Sequence, residues 1–141
     1  MKILDTNVVS ELIRPNRDEN VVAWVDAQAL AELFVTAITE AELRYGVATM
    51  PSGKRKKALE ADVHGILQKE FAGRILPLDS NAAIEYAAIV SARRALGKPI
   101  SQFDAQIAAI ARANGAAAIA TRNVGDFANT GVTVINPWSA S

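Results

Sequence analysis

Three acidic residues lie close to points where short apolar segments give way to helical patterns. Asp5 follows the apolar residues 3–4, and Glu42 and Asp104 lie near the predicted starts of two later helices. In an open α/β sheet, the turns that follow the carboxyl ends of strands are where ligands bind. The pattern therefore predicts one acidic site assembled from distant segments, and a hard divalent cation requires such a set of oxygen ligands.

A fourth acid follows the predicted buried strand that ends at Thr121. This acid is Asp126, and Asn123 provides a neutral oxygen donor between the two. Three or four carboxylates brought together repel one another unless a cation is bound. A bound cation would in turn acidify water and neutralise charge on a phosphate in transit.

Each of these acids also has a purely structural interpretation. Asp5 suits the cap of the first helix, and residues 39–42 (Thr-Glu-Ala-Glu) form a capping-box pattern that would occupy Glu42. Residues 101–104 (Ser-Gln-Phe-Asp) resemble the same pattern. Glu40 is the competing acid beside Glu42, but side chains two residues apart project from different faces of a helix.

The composition narrows the chemistry that the chain can perform. Its 141 residues are half apolar and 21% charged, which predicts a single globular domain over residues 1–141. The absence of cysteine and the single His64 exclude thiol nucleophiles, thiolate metal sites and histidine-rich metal sites. Any metal must be held by oxygen ligands, which points to Mg²⁺ or Mn²⁺. His64 lies far from every acidic motif in sequence and is interpreted as structural or exposed.

The charge of the chain is balanced overall but unevenly distributed. Because the net charge is zero, the overall charge alone does not predict a nucleic-acid partner. Two basic clusters are candidates for contact with an RNA backbone, and solvated helix surface is the alternative interpretation. The clusters consist of Lys54, Arg55, Lys56 and Lys57, and of Arg93 and Arg94.

The sequence offers no sign of membrane contact. No apolar run approaches the ~20 residues that span a bilayer. The first residues enter an apparent strand directly, without the basic segment and apolar core of a signal peptide. We therefore expect a cytoplasmic protein that does not contact membranes.

Strand and helix patterns alternate along the chain, which favours an α/β fold with a largely parallel sheet and helices on both faces. The third strand belongs at an edge of the sheet, because Pro77 cannot donate to a central ladder. Besides the strand before Asp5 and the helix after it, the predicted strands cover 33–38, 75–78, 116–121 and 131–135, and the predicted helices cover 39–50, 54–71, 80–96 and 101–114.

Two of these helices are predicted to bury one face in the core. In the helix over 54–71, apolar residues recur at the spacing of a core-facing stripe. The stripe consists of Leu59, Val63, Ile66, Leu67 and Phe71. In the helix over 80–96, mostly small side chains share one face and would let two backbones pack closely. That face consists of Ile84, Ala87, Ala88, Ser91, Ala92 and Ala95.

Four further patterns of the chain are residues 4–7 (Leu-Asp-Thr-Asn), 39–43 (Thr-Glu-Ala-Glu-Leu), Asp104 with 107–109 (Ile-Ala-Ala), and 121–127 (Thr-Arg-Asn-Val-Gly-Asp-Phe). Together these motifs resemble a PIN-domain nuclease and, more narrowly, the VapC-type toxins of bacterial toxin–antitoxin modules, including the FitB-like branch. Any single motif is weak, but all four occur in order along nearly the whole chain. Residues 10–12, 44–46 and 135–138 also fit the FitB-like branch.

The resemblance implies a role for each matching residue. Asp5, Glu42 and Asp104 correspond to the acidic triad that binds Mg²⁺ or Mn²⁺ in the family. The fourth polar position of the family falls within residues 121–126, where either Asn123 or Asp126 completes the site. The family's polar support for the site corresponds to Thr6, Asn7, Thr121 and Asn123.

The resemblance also implies a fold, an activity and partners. The expected fold is a PIN-like three-layer α/β/α arrangement around a mostly parallel sheet. The expected activity is metal-dependent hydrolysis of RNA phosphodiesters, with the basic clusters guiding the RNA backbone. The expected partners are a VapB-type antitoxin that inserts a segment at the acidic site, and a second copy of the chain. Such a homodimer would join a higher assembly with the antitoxin.

Other interpretations of the same residues lead to different functions. A phosphatase of the haloacid-dehalogenase type also opens with a strand ending in aspartate, but it normally has a second aspartate where this chain has Asn7. A receiver domain would need an early acidic pair and a central phosphoacceptor aspartate. A PIN fold without catalysis, used to bind RNA or a partner, is the third alternative, and the presence of all three core acids argues against it.

Overall fold

A parallel five-stranded sheet forms the centre of the molecule. The computed structural model describes residues 1–139. The strands lie in the order β3-β2-β1-β4-β5, and every pair is parallel. Their bounds are Lys2–Leu4 for β1, Leu33–Thr36 for β2, Ile75–Leu76 for β3, Ala118–Ala120 for β4 and Val134–Ile135 for β5. The chain adds strands on one side of β1 and then returns to the other side, so its direction switches between β1 and β4. A ligand crevice is expected there, at the carboxyl ends of the strands.

Helices connect the first four strands of this sheet, and a short 3₁₀ turn lies between β4 and β5. Within residues 1–139 the helices are Thr6–Ile13 (α1), Glu19–Asp26 (α2), Ala37–Ala48 (α3), Lys54–Gly65 (α4), Ser80–Ala95 (α5) and Gln102–Ala113 (α6). Helix α4 continues into a π-helical turn over Ile66–Glu70, and short 3₁₀ turns cover Leu30–Glu32 and Val124–Phe127. None of the helices in the described part of the chain is long and apolar enough to cross a membrane.

Two apolar clusters cover the opposite faces of the sheet. Leu4 and Ala120 belong to the cluster that includes residues of α1 to α4, whereas Ile3 and Ile119 belong to the cluster that includes residues of α5 and α6. Neighbouring residues of one strand thus enter different clusters, because successive side chains of a strand point to opposite faces. The result is the expected three-layer α/β/α arrangement, and the predicted fold class is confirmed.

The start of α3 differs from the sequence prediction. Strand β2 ends at Thr36 and α3 begins at Ala37, whereas the sequence suggested a strand to residue 38 and a helix from 39. The Thr36 hydroxyl caps the helix by accepting a hydrogen bond from the Thr39 amide at 3.1 Å. The proposed capping box over 39–42 is therefore wrong, because Thr39 already lies inside the helix. Glu42 is consequently placed beyond the first turn of α3.

The predicted apolar stripe on α4 and its extension lies in the core. Val63, Leu67 and Phe71 are buried, and Leu59 and Ile66 pack against the same cluster. The last turn is wider than an α-helical turn, since the Phe71 amide donates to the Ile66 carbonyl at 3.0 Å. Strand β3 is the predicted edge strand, shortened to two residues before Pro77.

The predicted core face of α5 is wrong. Its six residues, from Ile84 to Ala95, are all exposed, and Ile84 retains 67% of its accessible surface. The residues of α5 that are buried are Ala82, Ile89 and Arg93. The pattern misled because the buried face ends in a charged residue, Arg93, while a large apolar residue occupies the outer face. The exposed face is called the α5 outer face below.

Candidate active site

Asp5 lies at the carboxyl end of β1, directly beyond the pairing of Leu4 with Ala120. The residue is 4% exposed, and its side chain accepts three hydrogen bonds. Oδ1 accepts from the Thr6 amide at 2.8 Å, and Oδ2 accepts from Asn7 Nδ2 at 3.0 Å and Thr121 Oγ1 at 2.8 Å. Asp5 therefore caps α1, as the structural interpretation suggested, and simultaneously lines the crevice at the switch point.

Thr6 connects the first acid to the second. Its hydroxyl donates to Glu42 Oε1 at 2.8 Å and lies 3.0 Å from the Thr39 hydroxyl. Because α3 starts early, Thr39 and Glu42 both lie inside the helix, and residues three apart project from one side of it, here toward Thr6 of α1. Glu40 instead pairs with Arg44 at 3.0 Å. The structure thus brings Glu42, and not Glu40, to the site.

Thr121 connects the ends of β1 and β4. The buried Thr121 hydroxyl donates to Asp5 and accepts from the Asn123 amide at 3.0 Å. Asn7 adds a second link, because its Oδ1 accepts from the Arg122 amide at 3.2 Å. No buried polar side-chain atom in residues 1–139 lacks a hydrogen-bond partner. The predicted supporting residues therefore form one connected polar network around Asp5.

Asp104 reaches the same region from the start of α6. Ser101 caps that helix by accepting a hydrogen bond from the Asp104 amide at 3.2 Å, so this part of the predicted capping pattern is observed. Asp104 lies three residues into the capped segment and is partly exposed. Its carboxylate lines the cleft from the side of the sheet opposite to Glu42.

An open cleft of about 460 Å³ brings these side chains together. The carboxylates of the predicted triad line it from three different elements. Its lining consists of Asp5, Thr6, Asn7, Ser10, Glu11, Arg14, Glu42, Asp104, Arg122, Asn123 and Trp138. This set is called the acidic cleft below.

The acids of the cleft influence one another's titration. Burial raises the pKa of Asp5 to about 6, against the hydrogen bonds from Thr121 and Thr6, and the charges of Asp104 and Glu42 raise it further. Burial also raises the pKa of Asp104, the Ser101 hydrogen bond opposes this, and the Asp126 charge adds to it. Burial and like charge both disfavour a carboxylate, which is the situation that a bound cation relieves.

Asp126 lies beside the cleft rather than in its lining. It belongs to the 3₁₀ turn after β4, close enough to Asp104 for its charge to raise the pKa of that carboxyl. Its carbonyl accepts a hydrogen bond from Arg93 Nη1 at 2.8 Å. Asn123, the other candidate for the fourth position, is among the lining residues.

The donor set of the acidic cleft suits a hard cation. The carboxylates of Asp5, Glu42 and Asp104 and the amide carbonyl of Asn123 offer oxygen atoms, the ligands that Mg²⁺ and Mn²⁺ prefer. Across residues 1–139, no three acidic or histidine side chains already form a ready metal cage. Mutually repelling carboxylates are expected to stand apart until a cation draws them together.

The predicted RNA-binding residues are scattered by the fold. Arg93 is 5% exposed, and its guanidinium donates to the carbonyls of Lys98, Asp126 and Ala128. Burial of Arg93 and the use of its Nε and Nη1 donors inside the protein count against the predicted RNA contact, which stays a prediction. Arg94 is exposed on α5.

The basic cluster on α4 does not line the acidic cleft. Arg55 lines a neighbouring groove that also contains Glu42, whereas Lys57 lies with His64 in a separate groove between α3 and α4. Lys54 is exposed, and Lys56 donates to the Ala48 carbonyl. Of the four residues, Arg55 lies in the groove that adjoins the site.

Five lining residues of the cleft were missed by sequence reasoning. They are Ser10, Glu11, Arg14, Arg122 and Trp138. Arg122 follows Thr121 directly and Trp138 belongs to the closing motif, so both were within recognised segments. The sequence signal that could have found Arg122 was its position one residue after a strand end.

The sheet order and the acidic cleft together define a PIN domain, and the chain belongs to this family. The PIN-domain family model matches residues 2–132. The match includes all three acids of the cleft that were predicted to bind metal, so the suspected family resemblance is confirmed.

Named relatives are similar over nearly their entire lengths. A VapC ribonuclease of Sinorhizobium fredii is 44% identical over 138 residues, which cover 98% of each chain. The toxin FitB of Neisseria gonorrhoeae is 45% identical over 138 residues, covering 98% of this chain and 99% of FitB. In a solved structure of FitAB bound to a DNA fragment, the matching chain is 43% identical with a TM-score of 0.93, covering 100% of this chain and 98% of that one.

Proposed function

We propose that the chain is a metal-dependent endoribonuclease and the toxin of a VapBC-type toxin–antitoxin system. The observation that carries the proposal is the convergence of Asp5, Glu42 and Asp104 on one cleft. The names of the relatives, a ribonuclease and a toxin, support the same conclusion. A cytoplasmic location, where RNA is abundant, is part of the proposal.

The three carboxylates would hold Mg²⁺ or Mn²⁺. Such a cation lowers the pKa of water and offsets charge on the oxygens of a phosphodiester. The hydroxyls of Thr6 and Thr121 would keep Glu42 and Asp5 oriented for this task. Asn123 is the better candidate for a fourth group at the cation, because it lines the cleft. Asp126 would influence the site through its negative charge, which raises the pKa of Asp104.

The chain's own residues orient the reaction rather than form a covalent intermediate with the RNA. In the proposed hydrolysis, water adds to phosphorus and the bond to the leaving oxygen breaks. One of the carboxylates would orient the attacking water and accept its proton. His64 takes no part, because it lies in the separate groove between α3 and α4.

An antitoxin would inhibit the enzyme by occupying this cleft. A groove of about 590 Å³ between α1, α3 and α4 shares Thr6, Ser10, Arg14 and Glu42 with the acidic cleft. The rest of its lining is largely apolar and includes Ile13, Leu43, Val47, Leu59 and Val63. An apolar antitoxin segment lying here could extend an arginine to the carboxylates and take the place of the cation. The solved FitAB structure, in which the matching chain is part of a complex, supports a protein partner.

A homodimer is the second assembly that we propose. The α5 outer face exposes Ile84 and a row of alanines, and the adjacent Leu96 is 57% exposed. Because a twofold axis brings the same patch of both copies together, one apolar face is sufficient for a symmetric interface. The Ile84→Glu variant should shift the mass measured by light scattering from dimer to monomer, while Arg94→Glu serves as a control on an exposed residue of the same helix.

The function is tested by cleavage of single-stranded RNA with the purified, antitoxin-free protein. We expect cleavage with Mg²⁺ or Mn²⁺ and none when a chelator is present in excess. Equal cleavage in both reactions would contradict metal dependence. An RNA that stays intact under all metal conditions, although it binds the protein, would favour the binding module without catalysis.

The phosphatase alternative is tested in the same preparation with an aryl phosphate monoester. In this fold Asn7 donates its amide to Asp5, so it does not supply the second acid that such a phosphatase uses. We expect no release of inorganic phosphate. Monoester turnover that exceeds RNA cleavage would overturn the nuclease assignment.

A further inference from the structure

A cation–π pair of side chains, Arg122 and Trp138, lies in the wall of the acidic cleft. The guanidinium carbon of Arg122 is 5.1 Å from the centroid of the Trp138 ring, a cation–π distance. The two residues are 16 positions apart in sequence and are brought together by the neighbouring strands β4 and β5. Neither residue has a role in the function proposed above.

Both members of the pair are positioned by the backbone around them. The Arg122 amide donates to Asn7 Oδ1, so Arg122 directly follows the network that holds Asp5. The Trp138 amide donates to Asn136 Oδ1 at 2.9 Å, and its carbonyl accepts from Asn20 Nδ2 at 3.0 Å. The Trp138 ring also packs against the apolar cluster around α1 and α2. The ring is thus a fixed support, and the exposed guanidinium lies upon it.

Arg122 carries the uncompensated positive charge of the cleft. The other lining arginine, Arg14, pairs with Glu11 at 3.2 Å. Within residues 1–139, Arg122 forms no ion pair with a carboxylate. An acidic cleft repels a polyanion, so a substrate strand needs a cation beside the carboxylates. Stacking fixes the plane of a guanidinium while leaving its N–H edge free for a phosphate.

We propose that the Arg122–Trp138 pair is a clamp for single-stranded RNA, binding a phosphodiester next to the one that is cleaved. This inference rests on the proposed function, because it assumes that RNA occupies the acidic cleft. The guanidinium edge binds the phosphate, and the adjacent base stacks on the guanidinium or the exposed part of the ring. The clamp is independent of sequence, since phosphates and stacking faces occur in every nucleotide.

The clamp is tested by kinetics and by the salt dependence of binding. The variants are Arg122→Gln, Arg122→Lys and Trp138→Phe, and the matched control is Arg17→Gln, an exposed arginine outside the cleft lining. We expect Arg122→Gln to raise KM about tenfold, within the range for one lost charged contact, with kcat changed by less than about threefold. The lysine should recover part of this loss, because it keeps the charge without the planar fork.

Binding is measured without cleavage in the Asp104→Asn background. Trp24→Phe leaves Trp138 as the single tryptophan, so its fluorescence reports on the clamp directly. RNA should quench this signal, and Arg122→Gln should reduce the slope of log K against log salt by about 0.7, the value for one phosphate on a single strand. Trp138→Phe keeps a stacking ring and should retain most of the affinity, which is measured with a fluorophore-labelled RNA because this variant lacks the reporter tryptophan. Thermal melts identify any variant that has lost its fold.

The outcomes separate this inference from the proposed function. If the unaltered chain cleaves RNA and Asp104→Asn does not, but Arg122→Gln matches Arg17→Gln in KM and salt slope, only the clamp is overturned. If the unaltered chain does not cleave RNA at all, the nuclease assignment fails first. A loss confined to kcat would also overturn the clamp, because a substrate grip acts on KM.

Discussion

The two halves of the acidic cleft are held in place by different means. On one side, Asp5 and Glu42 are fixed by hydroxyl groups of Thr6 and Thr121 that contact the carboxylates directly. On the other side, Asp104 is partly exposed, and the hydroxyl that contacts it is that of Ser101, the cap of its own helix. Behind this half of the cleft, the Arg93 guanidinium donates to the carbonyls of Lys98 and Asp126.

The difference indicates that the first half is preorganised and the second half is adjustable. A buried carboxylate with three donors has little freedom, whereas a carboxylate on the first turn of a helix can move to meet a cation. In such a site Asp5 is fixed, and is called the rigid anchor below, whereas Asp104 can move. The predictions below separate these two roles, beginning with the largest effect.

Removing either aspartate should stop cleavage, but only one of the changes should disturb the fold. Asp104→Asn and Asp5→Asn should each lower kcat by more than about a hundredfold, because the loss of a metal ligand exceeds that of its supporting groups. Asp5→Asn should also cost about 1–3 kcal/mol of stability, since an amide has a single acceptor oxygen and cannot accept from the Thr6 amide on one side and from Asn7 and Thr121 on the other. RNA cleavage and urea melts measure the two effects. Equal melts for both variants would contradict the rigid-anchor interpretation.

Glu42 should be essential and its neighbour Glu40 dispensable. Glu42→Gln keeps an oxygen for the Thr6 hydroxyl but removes the charge, so we expect about a hundredfold loss of cleavage with an unchanged melting temperature. Glu40→Gln is the matched control, because Glu40 only pairs with Arg44 away from the cleft. Its activity should stay within about twofold of the unaltered chain, since such ion pairs contribute little. The reverse ranking would show that the wrong acid was selected.

This choice of acid also shows how far sequence alone could lead. Local patterns predicted the strand before Asp5, the parallel sheet and the edge position of β3. They were sufficient because a short apolar run favours a strand, and a proline disfavours a central strand, through the backbone of the segment itself. The start of α3 did not, since Thr36 and Thr39 are both suitable caps and tertiary packing decides between them. The exposed face of α5 and the Arg122–Trp138 contact depend on neighbours that are distant in sequence.

Acid should weaken cation binding more than it destabilises the folded protein. The pKa of Asp5 is raised to about 6, so protons compete with the cation below that pH. One competing proton lowers the apparent affinity about tenfold per pH unit below 6. Titrating Mn²⁺ by its effect on the melting temperature at pH 5, 6 and 7.5 measures this loss.

Without a cation, acid has the opposite effect: protonation of Asp5 stabilises the folded protein. Because the folded pKa of Asp5 lies above the ordinary carboxyl value of 3.8, the folded state binds the proton more tightly. The contribution of Asp5 to the stability of the fold is therefore present at low pH and is lost as the pH rises through 6. Asp104, whose pKa is also raised, acts in the same direction. Asp5→Asn is the control, and a pH effect that persists unchanged in it would assign the titration to another group.

Arg93 should affect the adjustable half without touching the cation or the RNA. Replacing it with methionine removes donors from the carbonyls of Lys98, Asp126 and Ala128, so roughly 2–4 kcal/mol of stability should be lost. The segment before α6 would loosen, and the Mn²⁺ concentration for half-maximal cleavage should rise about tenfold, at the low end for supporting groups. Arg94→Met, on the exposed neighbour, should change neither quantity. If Arg93→Met lowered stability but left the Mn²⁺ midpoint unchanged, Arg93 would serve the fold alone, and the placement of Asp104 would be set by α6 itself.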